Sequence, residues 1–105
     1  MPKVALSDNT LRLVERLFQP LDRAAAVATL EDECGSELPL MRGASPESLE
    51  RIRFAVLKLS EGSPTRLAEA VELAKIDWRD VLVAAQFAND LQAHAAWFRE
   101  RNGDA

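Results

Sequence analysis

The strongest candidate for chemistry in the sequence is its one histidine, His94, which follows Asp90 by four residues. On a helix this spacing brings the two side chains together, so that the carboxylate could orient the imidazole as a general base. An acid–base site needs further converging groups, and the sequence offers no second histidine. We therefore expect a structural His94 bonded to its neighbour. A ligand or enzyme pocket at His94, Asp90 and Trp97 is the alternative.

Cys34 is the only cysteine, which excludes an intramolecular disulfide. It ends a predicted helix beside Glu31, Asp32 and Glu33, whereas a reactive thiolate needs positive surroundings or a helix N-terminus. We predict an inert cysteine packed on an apolar face. One cysteine and one histidine without ligand spacing predict no zinc site, and we expect neither a metal nor a cofactor.

An acidic run, Glu31, Asp32, Glu33 and Glu37, lies near the C-terminal end of the same predicted helix. That end already carries partial negative charge, so carboxylates are unfavourable there. The cluster is either an acidic surface for a basic partner or, as we prefer, a solvated helix end. The spacing does not match a calcium-binding loop.

A nucleic-acid surface would use the basic side chains around the third predicted helix, which are Arg42, Arg51, Arg53 and Lys58. The chain has 13 Lys and Arg against 17 Asp and Glu, a net charge of −4, where a nucleic-acid binder usually has a basic excess. The helix-turn-helix interpretation of 67–86 also fails, because its recognition helix offers little beyond Arg79 and Gln86. We expect no nucleic-acid partner and keep weak binding through the four cations as a second alternative.

The composition favours a single helical domain covering residues 1–105. Hydrophobic residues make up 48% and charged residues 29%, as in soluble globular proteins. The longest uncharged run, 81–89, is far shorter than the ~20 residues of a membrane span, and the N-terminus lacks a signal peptide's apolar stretch. With a lone cysteine, these features predict a soluble cytoplasmic protein without a membrane partner.

Start and stop signals predict five or six helices in a compact all-α bundle. Ser45 and Ser63 each precede a proline, an arrangement typical of a capped helix start, and Ser7 or Asp8 and then Asp77 predict two more. Gly35 and Gly62 end helices, and Asn89 or Asp90 marks a break. The predicted helices cover about 8–18, 21–34, 46–61, 64–75, 77–88 and a last segment to 101, with a loop at 36–44.

Helical periodicity predicts the core. The buried set is expected to be Leu17, Ile52, Val56, Leu59, Val71, Val81, Val83, Ala84, Phe87 and Leu91. Trp78 and Trp97 are expected to be large packing groups. On the third predicted helix, Phe54 and Leu57 lie outside the apolar stripe, and one helix face cannot include them all. Phe54 and Leu57 must therefore contact another helix of the chain, a second copy of the protein or water. If a second copy is used, Arg51 and Arg53 would rim a two-fold interface and pair with Glu47 or Glu50 of that copy.

Three stretches, EDECG (31–35), SLERIRFAVLKLSEG (48–62) and AVELAKIDWRDVLVAAQFANDLQAHAAW (70–97), together resemble a family of small bacterial proteins without an assigned function. The resemblance covers most of the chain and implies an all-helical domain with no catalytic residue to transfer. It also implies that a helix ends near Gln86, where the family often has glycine. Function is expected to be a non-enzymatic protein–protein interaction or regulatory module with an unidentified protein partner, and we consider a homodimer. The expected interaction surface consists of Phe54, Leu57, Arg51, Arg53, Glu31, Asp32 and Glu33.

Overall fold

The computed structural model describes residues 5–35, 38 and 45–101, and all regular secondary structure in these residues is helical. The helices are α1 (Asp8–Leu17), α2 (Pro20–Glu33), α3 (Pro46–Ser60), α4 (Pro64–Ala84) and α5 (Ala93–Arg101). The prediction of an all-α fold is thereby confirmed. Most of the expected loop at 36–44, including Glu37 and Arg42, lies outside the described residues.

Three helices begin with the predicted serine caps. The hydroxyl oxygens of Ser7, Ser45 and Ser63 each accept the N–H of the residue three positions on. Pro46 and Pro64 occupy the first helical positions, where a proline loses no hydrogen bond. These starts are therefore fixed by short-range chemistry.

Asp77 divides α4 into two helical segments. Its backbone is extended, with φ −158° and ψ 108°, and its Oδ1 accepts the N–H of Arg79 at 3.0 Å, as an N-cap does. The Arg79 guanidinium also binds this carboxylate, through Nε at 2.9 Å and Nη2 at 2.8 Å. These hydrogen bonds lower the pKa of Asp77. The predicted start at Asp77 is confirmed, and the two segments of α4 correspond to the fourth and fifth predicted helices.

The central helix is α3, which packs mainly against α4 and also against α1 and α5. With neighbours on several sides, it buries every residue from 52 to 57. Phe54 and Leu57 are 1% and 0% exposed. The expectation that they form an interaction surface is wrong, because other helices of the same chain cover them. Helix α3 therefore does not expose Phe54 and Leu57, the extra apolar side chains that suggested self-association.

The chain leaves α4 through a tight reversal at Gln86, earlier than the apolar run 81–88 suggests. Gln86 has φ +67°, its N–H donates to the Val83 carbonyl at 3.0 Å, and the Phe87 N–H donates to the Leu82 carbonyl at 2.8 Å. This pair of bonds is the Schellman arrangement that commonly ends helices with glycine. The helix end implied by the family resemblance is therefore present, with glutamine in the glycine position.

Three predictions of the buried core are wrong, and the reversal at Gln86 explains one of them. Val83, Ala84 and Leu91 are exposed, although we expected them to be buried. Val83 and Ala84 lie on the side of α4 that faces solvent, whereas Leu91 follows the reversal, where the helical period no longer applies.

The remaining core predictions agree with the structure. The fully buried members are Ile52, Val56, Val71, Val81 and Phe87. Leu17, Leu59, Trp78 and Trp97 are partly buried and pack against this core. None of the described helices combines the length and the apolar character needed to cross a lipid bilayer.

Candidate functional site

Arg53 of α3 is a buried structural cation. Its side chain is only 2% exposed, and its guanidinium donates from Nε to the Cys34 carbonyl at 2.9 Å and from Nη1 to the Ala5 carbonyl at 3.2 Å. It joins the end of α2 to the segment before α1. A partner cannot reach it, so its expected place on an interaction surface is wrong.

Two further cations of α3 bind carbonyl groups at the C-terminal end of α4. The Lys58 ammonium donates to the Ala85 carbonyl at 2.8 Å and lies 5.0 Å from the centroid of the Phe87 ring. Arg51 donates from Nη2 to the Phe87 carbonyl. Positive charge stabilises the C-terminal end of a helix. With Arg53 buried, these side chains form no continuous basic stripe for phosphates, and Arg42 lies outside the described residues.

The acidic run and Cys34 show no reactive arrangement. Cys34 is fully buried, as predicted for a packing residue. Lys75 donates to Glu33 at 2.6 Å and to Glu72 at 3.0 Å, and these bonds raise the pKa of Lys75. Among the described residues, no group of His, Cys, Asp and Glu side chains could hold a metal ion. Glu37 lies outside those residues.

His94 packs its ring among core aromatic residues. The ring centroid lies 5.4 Å from that of Phe54 and 6.3 Å from that of Phe87. Its Nδ1 is buried and makes no hydrogen bond of normal geometry. Burial lowers the pKa of His94, Arg51 acts in the same direction, and Glu50 opposes it. The imidazole is therefore favoured in its neutral form.

The expected pairing of Asp90 with His94 is wrong. Asp90 Oδ1 accepts the N–H of Gln92 at 2.8 Å, and the Asp90 carbonyl accepts the N–H of Ala93 at 3.1 Å. Because α5 begins only at Ala93, the four-residue helical spacing from Asp90 does not apply. Trp97 packs on Phe54 and Phe87 rather than on a pocket formed with Asp90.

An open cleft of about 380 Å³ lies beside His94, between the first half of α3 and the start of α5. Its polar lining comes from Glu47, Ser48, Arg51, Gln92 and His94, and its apolar lining from Leu91 and Ala95. The sequence pointed to His94 and Arg51 as site residues and to Glu47 only as an ion-pair partner across a dimer interface, and it did not point to Ser48 or Gln92. The positions 47, 48 and 51 share one helix face, but only the reversal at Gln86 brings α5 against it.

A second surface, which we name the outer face of α4, consists of Thr65, Ala68, Glu69, Glu72, Leu73 and Ile76. It surrounds a broad, shallow depression of about 640 Å³. Ile76 is 77% exposed there. The helical spacing of these residues could have revealed the face, since it lies opposite the buried stripe of the same helix.

His94 gives a pH-dependent prediction. The pKa of His94 in the folded protein lies below the ordinary value of 6.5. At a pH between the folded and the unfolded pKa, the unfolded chain therefore binds more protons than the folded chain. The contribution of His94 to stability is therefore complete above 6.5 and falls as the pH decreases through the window below it. We expect wild type to lose more unfolding free energy than His94→Gln between about pH 7.5 and about pH 5.5, measured by urea denaturation. Equal losses would contradict the assignment.

Comparison of the chain with family models, curated proteins and solved structures gives no match. The family resemblance of the three sequence stretches therefore stays a prediction, and the two surfaces are the features of the molecule that bear on function.

Proposed function

We propose that the protein is a non-enzymatic interaction module that binds a helical segment of another protein on the outer face of α4. The exposure of Ile76 carries this proposal. Ile76 follows the partly buried Leu73 by three residues, so these two apolar side chains are neighbours on a helix face that also carries Ala68. Contiguous exposed apolar surface with a polar rim is typical of interaction sites, whereas scattered single residues are not.

The rim of the outer face of α4 suggests the chemistry of the partner. Glu69 and Glu72 border the depression, and Glu69 forms no ion pair among the described residues. A complementary helix would place an apolar stripe over Ile76 and a basic side chain beside Glu69, since Glu72 already pairs with Lys75. Such rim charges would speed association and set its register more than they would add affinity.

A second copy of this chain suits the outer face of α4 less well. A two-fold pairing brings the same patch of both chains together, so the interface would contain Glu69 and Glu72 from each chain. Like charges across an interface oppose association. Self-association stays an alternative, and light scattering over a concentration series distinguishes it from a heterologous partner.

Paired charge variants test the module. We compare wild type, Ile76→Lys and Leu21→Lys, each tagged and expressed in the native cell, because Leu21 is a 94% exposed apolar residue on α2 outside the outer face of α4. We expect the same partner to be recovered with wild type and Leu21→Lys and to be lost with Ile76→Lys. All three proteins should have the same melting temperature. A partner retained by Ile76→Lys, or no specific partner with wild type, would refute the proposal.

A further inference from the structure

We propose that the cleft between α3 and α5 binds a small zwitterion of the α-amino-acid type with an uncharged side chain. The cleft is lined by one cation, Arg51, and one anion, Glu47. Neither forms an ion pair among the described residues. A ligand with both charges would satisfy the two groups together. The volume of about 380 Å³ lies within the usual range of small-molecule sites.

Arg51 is the anchor for a carboxylate. It is partly buried, its Nη2 donates to the Phe87 carbonyl, and its Nε is buried without a partner. A buried N–H group without an acceptor is costly, and a carboxylate is the acceptor that matches the geometry of a guanidinium. The cleft also lies at the start of α5, where partial positive charge favours the same group.

Glu47 is placed to receive the ammonium group. It precedes Arg51 by four residues, so the two side chains leave α3 on one face with Cβ atoms about 6 Å apart. The carboxylate and the ammonium of an α-amino acid are separated by one carbon, which suits neighbouring partners on one helix turn. Ser45 donates to Ser48 Oγ at 3.0 Å, which leaves the Ser48 hydroxyl proton for the ligand.

The apolar part of the cleft selects the side chain. Leu91 is exposed at its edge, and Ala95 lies beside it. An uncharged ligand side chain would cover Leu91 and remove its apolar surface from water. His94, favoured as neutral, adds no second charge to the lining.

Calorimetric titration tests the site with L-leucine, L-valine and L-serine as probes, beside isocaproate, which lacks the amine, and isoamylamine, which lacks the carboxylate. We expect saturable binding of L-leucine and at least about tenfold weaker binding of isocaproate and isoamylamine. Glu47→Gln should weaken amino-acid binding by about tenfold or more, whereas Glu100→Gln, an exposed change on α5 outside the cleft, should not.

Three results would overturn this inference: no saturable binding of any of the amino acids at millimolar concentration, isocaproate binding as tightly as L-leucine, or unchanged binding by Glu47→Gln. Thermal melts of the unliganded variants establish that each is folded. Because the cleft and the outer face of α4 share no residue, the titration is repeated with Ile76→Lys. Unchanged amino-acid binding by that variant is expected, so that either proposal can fail without the other.

Discussion

Replacing Phe87 with alanine will destabilise the protein by ~3–5 kcal/mol, the range found for enclosed phenylalanines. Phe87 is 1% exposed, and its ring centroid lies 6.0 Å from that of Trp97 and 6.3 Å from that of His94. The Lys58 ammonium lies over the same ring. The substitution removes contacts with all three groups and leaves a cavity where helices α3, α4 and α5 meet.

Urea denaturation of Phe87→Ala and of Val83→Ala measures this effect. Val83 is exposed only four residues earlier, so its truncation should change the unfolding free energy by less than ~0.5 kcal/mol. Phe87→Leu should fall between the two, since it restores part of the apolar volume. A loss below about 1 kcal/mol for Phe87→Ala would show that the ring is not enclosed.

Replacing Gly62 with alanine should cost ~2–4 kcal/mol, because two penalties coincide. Gly62 has φ +82°, a conformation that disfavours a β-carbon. A β-carbon there would also lie 2.2 Å from the carbonyl oxygen of Leu17, so backbone rather than a flexible side chain would have to move. The turn between α3 and α4 would therefore have to move away from the end of α1.

The opposite substitution at the end of α4 is the control for Gly62→Ala. Gln86 has φ +67° without being glycine, and Gln86→Gly should raise the unfolding free energy by up to ~1 kcal/mol. Thermal and urea unfolding of both variants should therefore shift in opposite directions. A Gly62→Ala protein as stable as wild type would mean that α1 does not approach the turn so closely.

The helix starts could be predicted from the sequence because their causes are local. Ser45 and Ser63 bind N–H groups three residues away, and Asp77 caps a segment that begins with the next residue. Such bonds need no information from distant parts of the chain. The all-α fold follows from the same local signals.

Burial around α3 could not be predicted from one helix alone. Periodicity identifies a single buried stripe, but α3 has neighbours on several sides, so Phe54 and Leu57 are enclosed as well. Arg53 is buried because distant carbonyl groups of Cys34 and Ala5 accept its hydrogen bonds. Nothing near Arg53 in the sequence indicates those acceptors.

The candidate site depends on the positive φ of Gln86, which the residue type does not indicate. Glutamine is an uncommon residue at positive φ, so only the family resemblance suggested that the helix ends near Gln86. The delayed start of α5 separates Asp90 from His94, and the same geometry places His94 beside Arg51 and Glu47. The sequence contains His94, Arg51 and Glu47, but it does not indicate that they lie together in the folded protein.

The central position of α3 has a consequence for the order of folding. Its main packing partner, α4, follows it directly in the chain, across the short turn at Gly62. Contacts between sequence neighbours close short loops at low entropic cost and favour rapid folding. In contrast, α1 and α5 touch although they come from opposite ends of the chain. We therefore expect the α3–α4 hairpin to form early and to exchange its amide hydrogens last, while the α1–α5 contact closes late and opens first.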